Sequence, residues 1–335
     1  GDWSSDVCSS DLTPVILHRG GQTPDSTFED KYYISVDMSD ESPYSGDLYI
    51  PWKRVTPRDS ATQIVISKST DKGATWSDPV NVSFRVPGSS EDTTFGQSFP
   101  LAALGPEGEV YVVWNHGIEH GVGFAKSLNG SKTFTEPEII HHYDIFGETI
   151  FIPGQGYRHS VKGKVRAEAY PVIVTDVTDG PNRGNLYLCW AADNPPNIYF
   201  SKSEDKGDTW TDPVIVHSDT TNDQFWPWLA LDPLNGDLGI MYLDSRNDPD
   251  NIITECFVSY SGDGGDTWID RKAADAGSDL RLNPFQSNAF AGDYNGCAFY
   301  DGVLYPSWVD MRNAVNNIAD NDVYTAIVDI DKPAP

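Results

Sequence analysis

Ser203-Glu204-Asp205-Lys206-Gly207-Asp208-Thr209-Trp210 is one of four related stretches in this chain. Ser69-Thr70-Asp71-Lys72-Gly73-Ala74-Thr75-Trp76 and Ser261-Gly262-Asp263-Gly264-Gly265-Asp266-Thr267-Trp268 keep its pattern. Ser127-Leu128-Asn129-Gly130-Ser131-Lys132-Thr133-Phe134 is a worn copy. The shared pattern, Ser-x-Asp-x-Gly-x-Thr-Trp, describes a turn. Asp and Asn side chains accept hydrogen bonds from backbone N–H groups two residues on, and Gly takes a positive φ at little cost. The closing Trp or Phe brings a large area to bury between neighbouring elements. Ser69, Ser127, Ser203 and Ser261 follow one another at intervals of 58, 76 and 58 residues. A long, nearly fixed interval means an array of similar units.

A second motif keeps step with the first, running from Gly46 to Trp52, Gly108 to Trp114, Gly184 to Trp190, Gly236 to Tyr242 and Gly302 to Trp308. Alternate residues within it are apolar, the two-residue period of a strand. A strand-like run precedes each copy, a strand leading into the turn follows, and a short strand comes after the turn. Five units of four antiparallel strands are predicted, over residues 31–83, 98–141, 169–217, 225–273 and 290–330, the last without the turn motif or a fourth strand. Seven of the 10 Trp occupy two repeat positions, which marks them as structural. Pro51 and Pro306 fall inside predicted second strands, where a missing N–H calls for a local bulge.

The eight-residue pattern resembles the Asp box of the sialidase superfamily. The resemblance implies an all-β fold, a β-propeller of four-stranded antiparallel blades forming one domain from residue 13 to the end. Its members usually have six blades. The expectation is either a closed ring of five, with residues 14–18 completing the fifth blade, or most of a six- or seven-bladed one. Residues 1–12 resemble one reading frame of a sequencing adapter and are set aside. Pro14-Val15-Ile16-Leu17-His18 matches Pro213-Val214-Ile215-Val216-His217, the strand after a box, so an earlier blade is expected upstream.

With 23 Lys and Arg against 50 Asp and Glu, the 335-residue chain carries a formal charge of −27. Nucleic acids and anionic membranes need a basic face and are poor partners, and no apolar run reaches the 18 residues of a membrane span. An acidic surface suits a secreted or periplasmic protein. Cys189, Cys256 and Cys297, left once Cys8 is set aside, are odd in number and read as free thiols. No redox cofactor is expected. Asp248-Pro249-Asp250-Asn251 and Asp320-Asn321-Asp322 offer calcium-type ligands but lack EF-hand spacing, which favours solvated loops.

In a propeller, ligands meet the loops before the inner strands and after the second strands. Here these loops hold Arg54, His116, Asp193-Asn194, Asp244-Ser245-Arg246-Asn247 and Asp310-Met311-Arg312-Asn313, together with Glu29-Asp30-Lys31, Gln97, Arg166, Glu168, Asp223-Gln224 and Asp293-Tyr294. Arg binds carboxylates bidentately, so the repeated Asp-x-Arg-Asn is either a ligand contact or a brace at equivalent blade corners. Sialidases hold a substrate carboxylate with three arginines and use a Tyr nucleophile, a Glu that activates it and an Asp acid. The resemblance therefore implies Arg246, Arg312 and either Arg54 or Arg166 as the arginine cluster, with Tyr294 and Glu168 as the nucleophile pair and Asp30 as the acid. Phe84-Arg85-Val86-Pro87 resembles a sialidase motif but follows a box instead of preceding the first one, and is read as coincidence. The leading expectation is an exo-sialidase-like glycoside hydrolase acting on acidic sugars. The alternatives are a glycan- or protein-binding propeller without chemistry, or another polysaccharide-active hydrolase or lyase, the lyase using His116 or His159 near Tyr and Arg. The insertion at 141–168, with His141, His142, Tyr157, Arg158 and His159, is either a specificity loop over the rim or a surface excursion.

Overall fold

The computed structural model describes residues 14–18, 26–56, 58–88, 96–144, 146–152, 156–282, 291–292, 295–314 and 321–332. Blade 1 consists of β1 (Phe28–Asp30) and β2 (Ser35–Val36), two halves of one inner strand, then β3 (Leu48–Thr56), β4 (Ala61–Ser69) and β5 (Val80–Asn81). Blade 2 is β6 (Gln97–Leu104), β7 (Val110–His116), β8 (Gly121–Ser127) and β9 (Glu138–His142). A three-stranded hairpin sheet intervenes, made of β10 (Glu148–Ile152), β11 (Gly156–Val161) and β12 (Val165–Arg166). Blade 3 is β13 (Val172–Thr175), β14 (Leu186–Ala192), β15 (Asn197–Ser203) and β16 (Val214–Ile215). Blade 4 is β17 (Gln224–Leu231), β18 (Leu238–Asp244), β19 (Glu255–Ser261) and β20 (Ile269–Lys272). Blade 5 is β21 (Gly296–Tyr300) and β22 (Val303–Asp310), with β23 (Asp322–Thr325) and β24 (Val328–Asp329) both on the far edge of β22 as halves of a third strand. The fold is an all-β propeller with every blade pair antiparallel, and one 3-10 turn, Leu280–Leu282, is the only helical element among the described residues.

The four turns share one hydrogen-bond plan. Ser69 Oγ accepts from Gly73 N at 2.8 Å, and Asp71 accepts from Thr75 N at 2.8 Å and Thr75 Oγ1 at 2.6 Å. The copies at Ser127, Ser203 and Ser261 repeat it, with Asn129 donating to Thr133 Oγ1 where Asp would accept. The turns of blades 3 and 4 also lock their blades to the one before. Trp210 meets Phe124 edge-on at 5.6 Å, and Trp268 meets Phe200 at 4.9 Å. A Cβ on Gly207 would lie 2.5 Å from Phe124 Cζ, and one on Gly265 2.3 Å from Phe200 Cε1, so glycine is needed for contact as well as for φ. Between blades, Tyr49, Ile64 and Ile66 pack on Ala102 and Leu104 in a buried cluster. Burying side chains of this size stabilises by roughly 1.5–3 kcal/mol each.

The two prolines sit where a neighbouring strand is broken. Pro51 turns its carbonyl, and hence its missing N–H, toward the inner strand, where Tyr33 N donates across the gap between β1 and β2. Pro306 turns its carbonyl to Ala326 N, in the gap between β23 and β24. The ladder bond that proline cannot donate is one the partner strand does not accept. Cys189 and Cys256 are buried free thiols, and Cys297 is half-buried.

Candidate active site at the channel mouth

Pairing of Gln97 with His116 and of Gln224 with Asp244 brings inner-strand starts and second-strand ends to one end of the ring. The Ser-x-Asp turns lie at the other end, as the pairing of Val110 with Ser127 shows. Just below the first end the inner strands kink toward the axis. Lys31, Phe99, Tyr170 and Trp226 hold one equivalent position in blades 1–4, all with φ between 47° and 56°. Non-glycine residues in this left-handed region cost about 1–3 kcal/mol each and persist where surrounding structure over-determines them. Here the support is mutual. Phe99 meets Tyr170 edge-on at 4.3 Å, Tyr170 meets Trp226 at 6.5 Å, and Lys31 Nζ sits 4.9 Å from the Phe99 ring centre. With Tyr32, Tyr33, Trp228 and Asn295 these residues line an axial pocket.

The polar rim above the pocket follows from what each second strand ends in. Glu29, Gln97, Glu168 and Gln224 start the inner strands at one equivalent position. Glu29 meets Arg54 of its own blade at 3.1 Å, and Gln224 donates to Asp244 of its own at 3.2 Å. In blade 3 the second strand ends in Ala191-Ala192, which offer no side-chain partner. Glu168 reaches sideways instead and accepts from Asn115 Nδ2 of blade 2 at 3.3 Å, while the Tyr143 hydroxyl donates to Asn115 Oδ1. Glu168, Asn115 and Lys53 are all buried. Burial pulls Lys53 down to about 8, against the opposing pull of the Asp30 and Glu168 carboxylates, while Lys31 and Arg158 nearby lower it further. Burial also pulls Arg158 down to about 10, assisted by neighbouring Arg166 and opposed by Glu168. Arg158 and Arg166 come from β11 and β12 of the hairpin sheet, so the 141–168 insertion serves the rim. Lys53 and Arg158 thus meet at the Glu168 carboxylate, with Lys31, Arg166 and Asp30 as their further neighbours, in a chain of net charge −27.

Of the residues singled out in the sequence, Glu168, Arg166 and Asp30 belong to this cluster. Asp30 pairs with Lys53 in register and accepts from Lys31 N at 2.9 Å. Arg54 is engaged by Glu29 beside Trp52. His116 Nδ1 accepts from Glu119 N at 3.2 Å within its own turn. Arg246 is gripped by Asp244 at 2.7 Å and by Asp270, over the Phe257 ring. Arg312 is gripped by Asp310 at 2.7 Å and by Asp275, over the Tyr324 ring. Both arginines of the Asp-x-Arg-Asn loops are thus held by two carboxylates each at equivalent blade corners. Tyr294 lies outside the described residues, next to Asn295 of the pocket lining. His159 is buried, paired opposite Thr149. Lys53, Asn115 and Tyr143 were not legible as site residues, although a Lys ending the apolar run Leu48-Tyr49-Ile50-Pro51-Trp52 was a signal to use, and Arg158 was legible only as part of the 141–168 insertion.

The acidic loop at Asp248 is filled by the protein itself. Asp248 Oδ2 accepts from Ile252 N and Ile253 N, and Asn251 accepts from Lys162 Nζ at 3.0 Å. In the other loop Asp320 is outside the described residues, and Asp322 accepts from Asn313 Nδ2 at 3.2 Å. Among the described residues no three His, Cys, Asp or Glu side chains gather as a metal site, and no helix is long and apolar enough to cross a membrane.

No family model and no curated protein sequence matches the chain. Among solved structures it is similar to a protein of unknown function from Dyadobacter fermentans DSM 18053, with TM-score 0.48, 15% identity, and 92% of this chain and 88% of that one covered. It is similar also to the GH93 α-L-arabinofuranosidase of Fusarium graminearum with arabinobiose, with TM-score 0.47, 14% identity, and coverage of 90% and 93%. A third is the Hadza microbial sialidase Hz136, with TM-score 0.43, 13% identity, and coverage of 85% and 56%.

Proposed function

We propose that this propeller is a glycoside hydrolase that acts on a carboxylate-bearing sugar at the channel mouth. The observation that carries the reading is the buried Glu168 carboxylate, 3.3 Å from Asn115 Nδ2 and in electrostatic reach of Lys53 and Arg158, which themselves neighbour Lys31 and Arg166. An anionic sugar is drawn to a concentration of cations in an otherwise acidic molecule. Lys53, Arg158 and Arg166 hold its carboxylate, with Arg supplying bidentate geometry. The apolar ring face lies on Phe99, Tyr170 and Trp226. Glu168 is the proton acceptor for a phenol nucleophile, as in the Tyr-dependent exception among glycosidases, and Asp30, in register with Lys53, is the acid. Tyr294 remains the proposed nucleophile, adjacent in sequence to pocket residue Asn295.

The test is release of a fluorophore from glycosides of sialic, glucuronic and galacturonic acid, beside calorimetric binding of the free acids. Turnover lost in Glu168→Gln with binding retained supports hydrolysis. Binding without turnover in the wild type would make this a lectin-like module. Neither binding nor turnover from a well-folded protein ends the reading.

A further inference from the structure

A second cavity opens where blade 2 meets blade 3, lined by Tyr143, Asp144, Trp190, Ala192, Asp193 and Tyr199. It shares no lining residue with the axial pocket. Tyr143 connects it to the channel mouth, since its hydroxyl donates to Asn115 and Asn115 in turn donates to Glu168.

The indole nitrogen of Trp190 shows what this cavity lacks. A second-strand Trp holds one equivalent position in blades 1, 2, 3 and 5. In blade 5 Trp308 Nε1 donates at 3.2 Å to Asp310, two residues further along the strand. In blade 1 Trp52 Nε1 donates to Glu29 at the start of the inner strand. Both acceptors lie toward the channel-mouth end. In blade 3 the counterpart of Asp310 is Ala192, which lines the cavity beside Trp190. Trp190 is 1% exposed, and its Nε1 is buried with no acceptor among the described residues. Trp114 of blade 2 is unpartnered too, but its Nε1 is packed against Gly123, where a Cβ would come within 2.3 Å. Opposite Trp190 that glycine is replaced by Tyr199, whose ring stacks on the indole at 5.8 Å. A buried N–H without an acceptor is costly, and native structures supply one from protein, water or ligand.

The other polar groups of the cavity are carboxylates. Asp193 accepts from the Tyr199 hydroxyl. Burial, then Asp193 and then Asp144, raise the pKa of that phenol, which places Asp144 near it as well. Among the described residues no Lys or Arg lines the cavity, and His142 at its edge turns Nδ1 to the Glu119 carbonyl at 3.2 Å. This is the reverse of the channel mouth, and an anion is repelled here. A fitting ligand brings an acceptor for the indole and donors for the carboxylates. A simple ammonium lacks the acceptor, whereas the hydroxyls of an uncharged sugar supply both. Tyr199 and Pro213 offer apolar surface to a sugar face.

We propose that the cavity between blades 2 and 3 is a second binding site, which takes an uncharged sugar unit. A sugar oxygen accepts from Trp190 Nε1, and sugar hydroxyls donate to Asp193 and Asp144. Because Nε1 is screened from solvent, the half-buried Tyr199 swings off the indole as the sugar enters, and this releases Asp193 to the ligand. Naming a sugar rests on the glycoside hydrolase reading; the preference for an uncharged polyol over an anion rests on the cavity alone.

The test titrates the 335-residue protein, its indoles labelled with nitrogen-15, with the methyl glycosides of glucose, galactose, mannose, xylose and arabinose, beside glucuronic acid. Trp190→Phe identifies the Trp190 N–H signal among the 10 indoles. At least one neutral glycoside should move that signal saturably, and glucuronic acid at equal concentration should not. Trp190→Phe and Asp193→Asn should each weaken the binding about tenfold, on the order of one hydrogen bond lost. Glu168→Gln, which ends turnover on the hydrolase reading, should leave it within about twofold, less than one net hydrogen bond. A Trp190 signal that none of the neutral glycosides moves overturns the proposal and leaves water as the occupant. A signal that glucuronic acid moves as far overturns it too. Movement of this signal without turnover of any glycoside keeps the second site and ends the hydrolase reading, and turnover with the signal unmoved does the reverse.

Discussion

Lys162 at the tip of the hairpin sheet places its ammonium 3.2 Å from the Asp223 carboxylate of blade 4, with no solvent exposure of the lysine side chain. Ser245 Oγ at 2.7 Å and the backbone and side-chain oxygens of Asn251, each at 3.0 Å, complete its surroundings. Burial lowers the pKa of this ammonium, and Asp223 beside it raises it part of the way back. A buried charge held this way tethers an inserted element, because removing one partner strands the other, at a cost of about 3–5 kcal/mol. The element tethered is the one that carries Arg158 and Arg166 to the channel mouth.

Lys162→Met should therefore loosen the hairpin without touching the pocket. The expected outcome is faster protease cleavage within 148–166 and at least tenfold weaker binding of a sugar acid. Unchanged affinity with a cleaved hairpin would show that Arg158 and Arg166 are not needed for binding.

Lys53 predicts opposite effects on function and stability. Its pKa in the fold, about 8, lies below that of an unfolded lysine. Between those values the unfolded chain binds more protons, so stability rises with pH through this window, and the penalty is fully present below pH 8. Lys53→Met should raise stability at pH 7 by on the order of 1–3 kcal/mol, from about 1.4 kcal/mol per pKa unit. It should also weaken binding of a sugar acid at least tenfold. In the wild type that binding should fall as the pH rises through 8. Chemical denaturation and calorimetry across pH 6–10 check all three.

Arg246 and Arg312 should matter for stability and not for ligand. Arg246→Ala leaves Asp244 and Asp270 without their counter-ion, at a cost of about 3–5 kcal/mol. Affinity at pH 7 should stay within twofold for the fraction that remains folded. A tenfold loss of affinity in a well-folded variant would return these arginines to the site.

His217 makes one blade joint acid-sensitive. Its Nε2 accepts from Ile198 N at 3.2 Å and its Nδ1 faces the Asp219 carbonyl at 2.8 Å, which requires the neutral ring. Burial pulls its pKa down to about 4. The unfolded chain then binds the extra proton between its usual pKa near 6.5 and 4, so stability falls as pH drops through that range. His217→Gln can keep one acceptor and one donor, and should flatten the pH dependence of the Tm between 4 and 6.5.

The glycines of the turns separate φ strain from contact. Gly73 and Gly265 both have φ near +89°, but a Cβ meets nothing closer than 3.5 Å at Gly73 and meets Phe200 at 2.3 Å at Gly265. Gly73→Ala should cost about 1 kcal/mol, the backbone term alone. Gly265→Ala should cost at least twice that, read by urea denaturation.

The sequence alone determined the blade plan, because strand alternation and the Ser-x-Asp-x-Gly-x-Thr-Trp turn are local patterns whose physics acts within a dozen residues. Five blades, their strand order and the structural role of the repeated Trp were all legible from it. It also placed Glu168, Arg166 and Asp30 at the right end of the ring, since position within the repeat fixes which end a residue occupies. Only the tertiary structure decided which side chains at that end face one another. Arg246 and Arg312 lie two residues past the rim position that Arg54 holds and spend their charge on Asp270 and Asp275, which come from the outer strand of blade 4 and the segment just after it. Lys53 and Arg158 join Glu168 across three separate chain segments, and Glu168 turns to Asn115 because Ala192 gives it no partner at home. A repeat specifies each unit through short-range contacts, whereas a site at the axis is made from what the units lack in common, and those differences meet only when the ring is assembled.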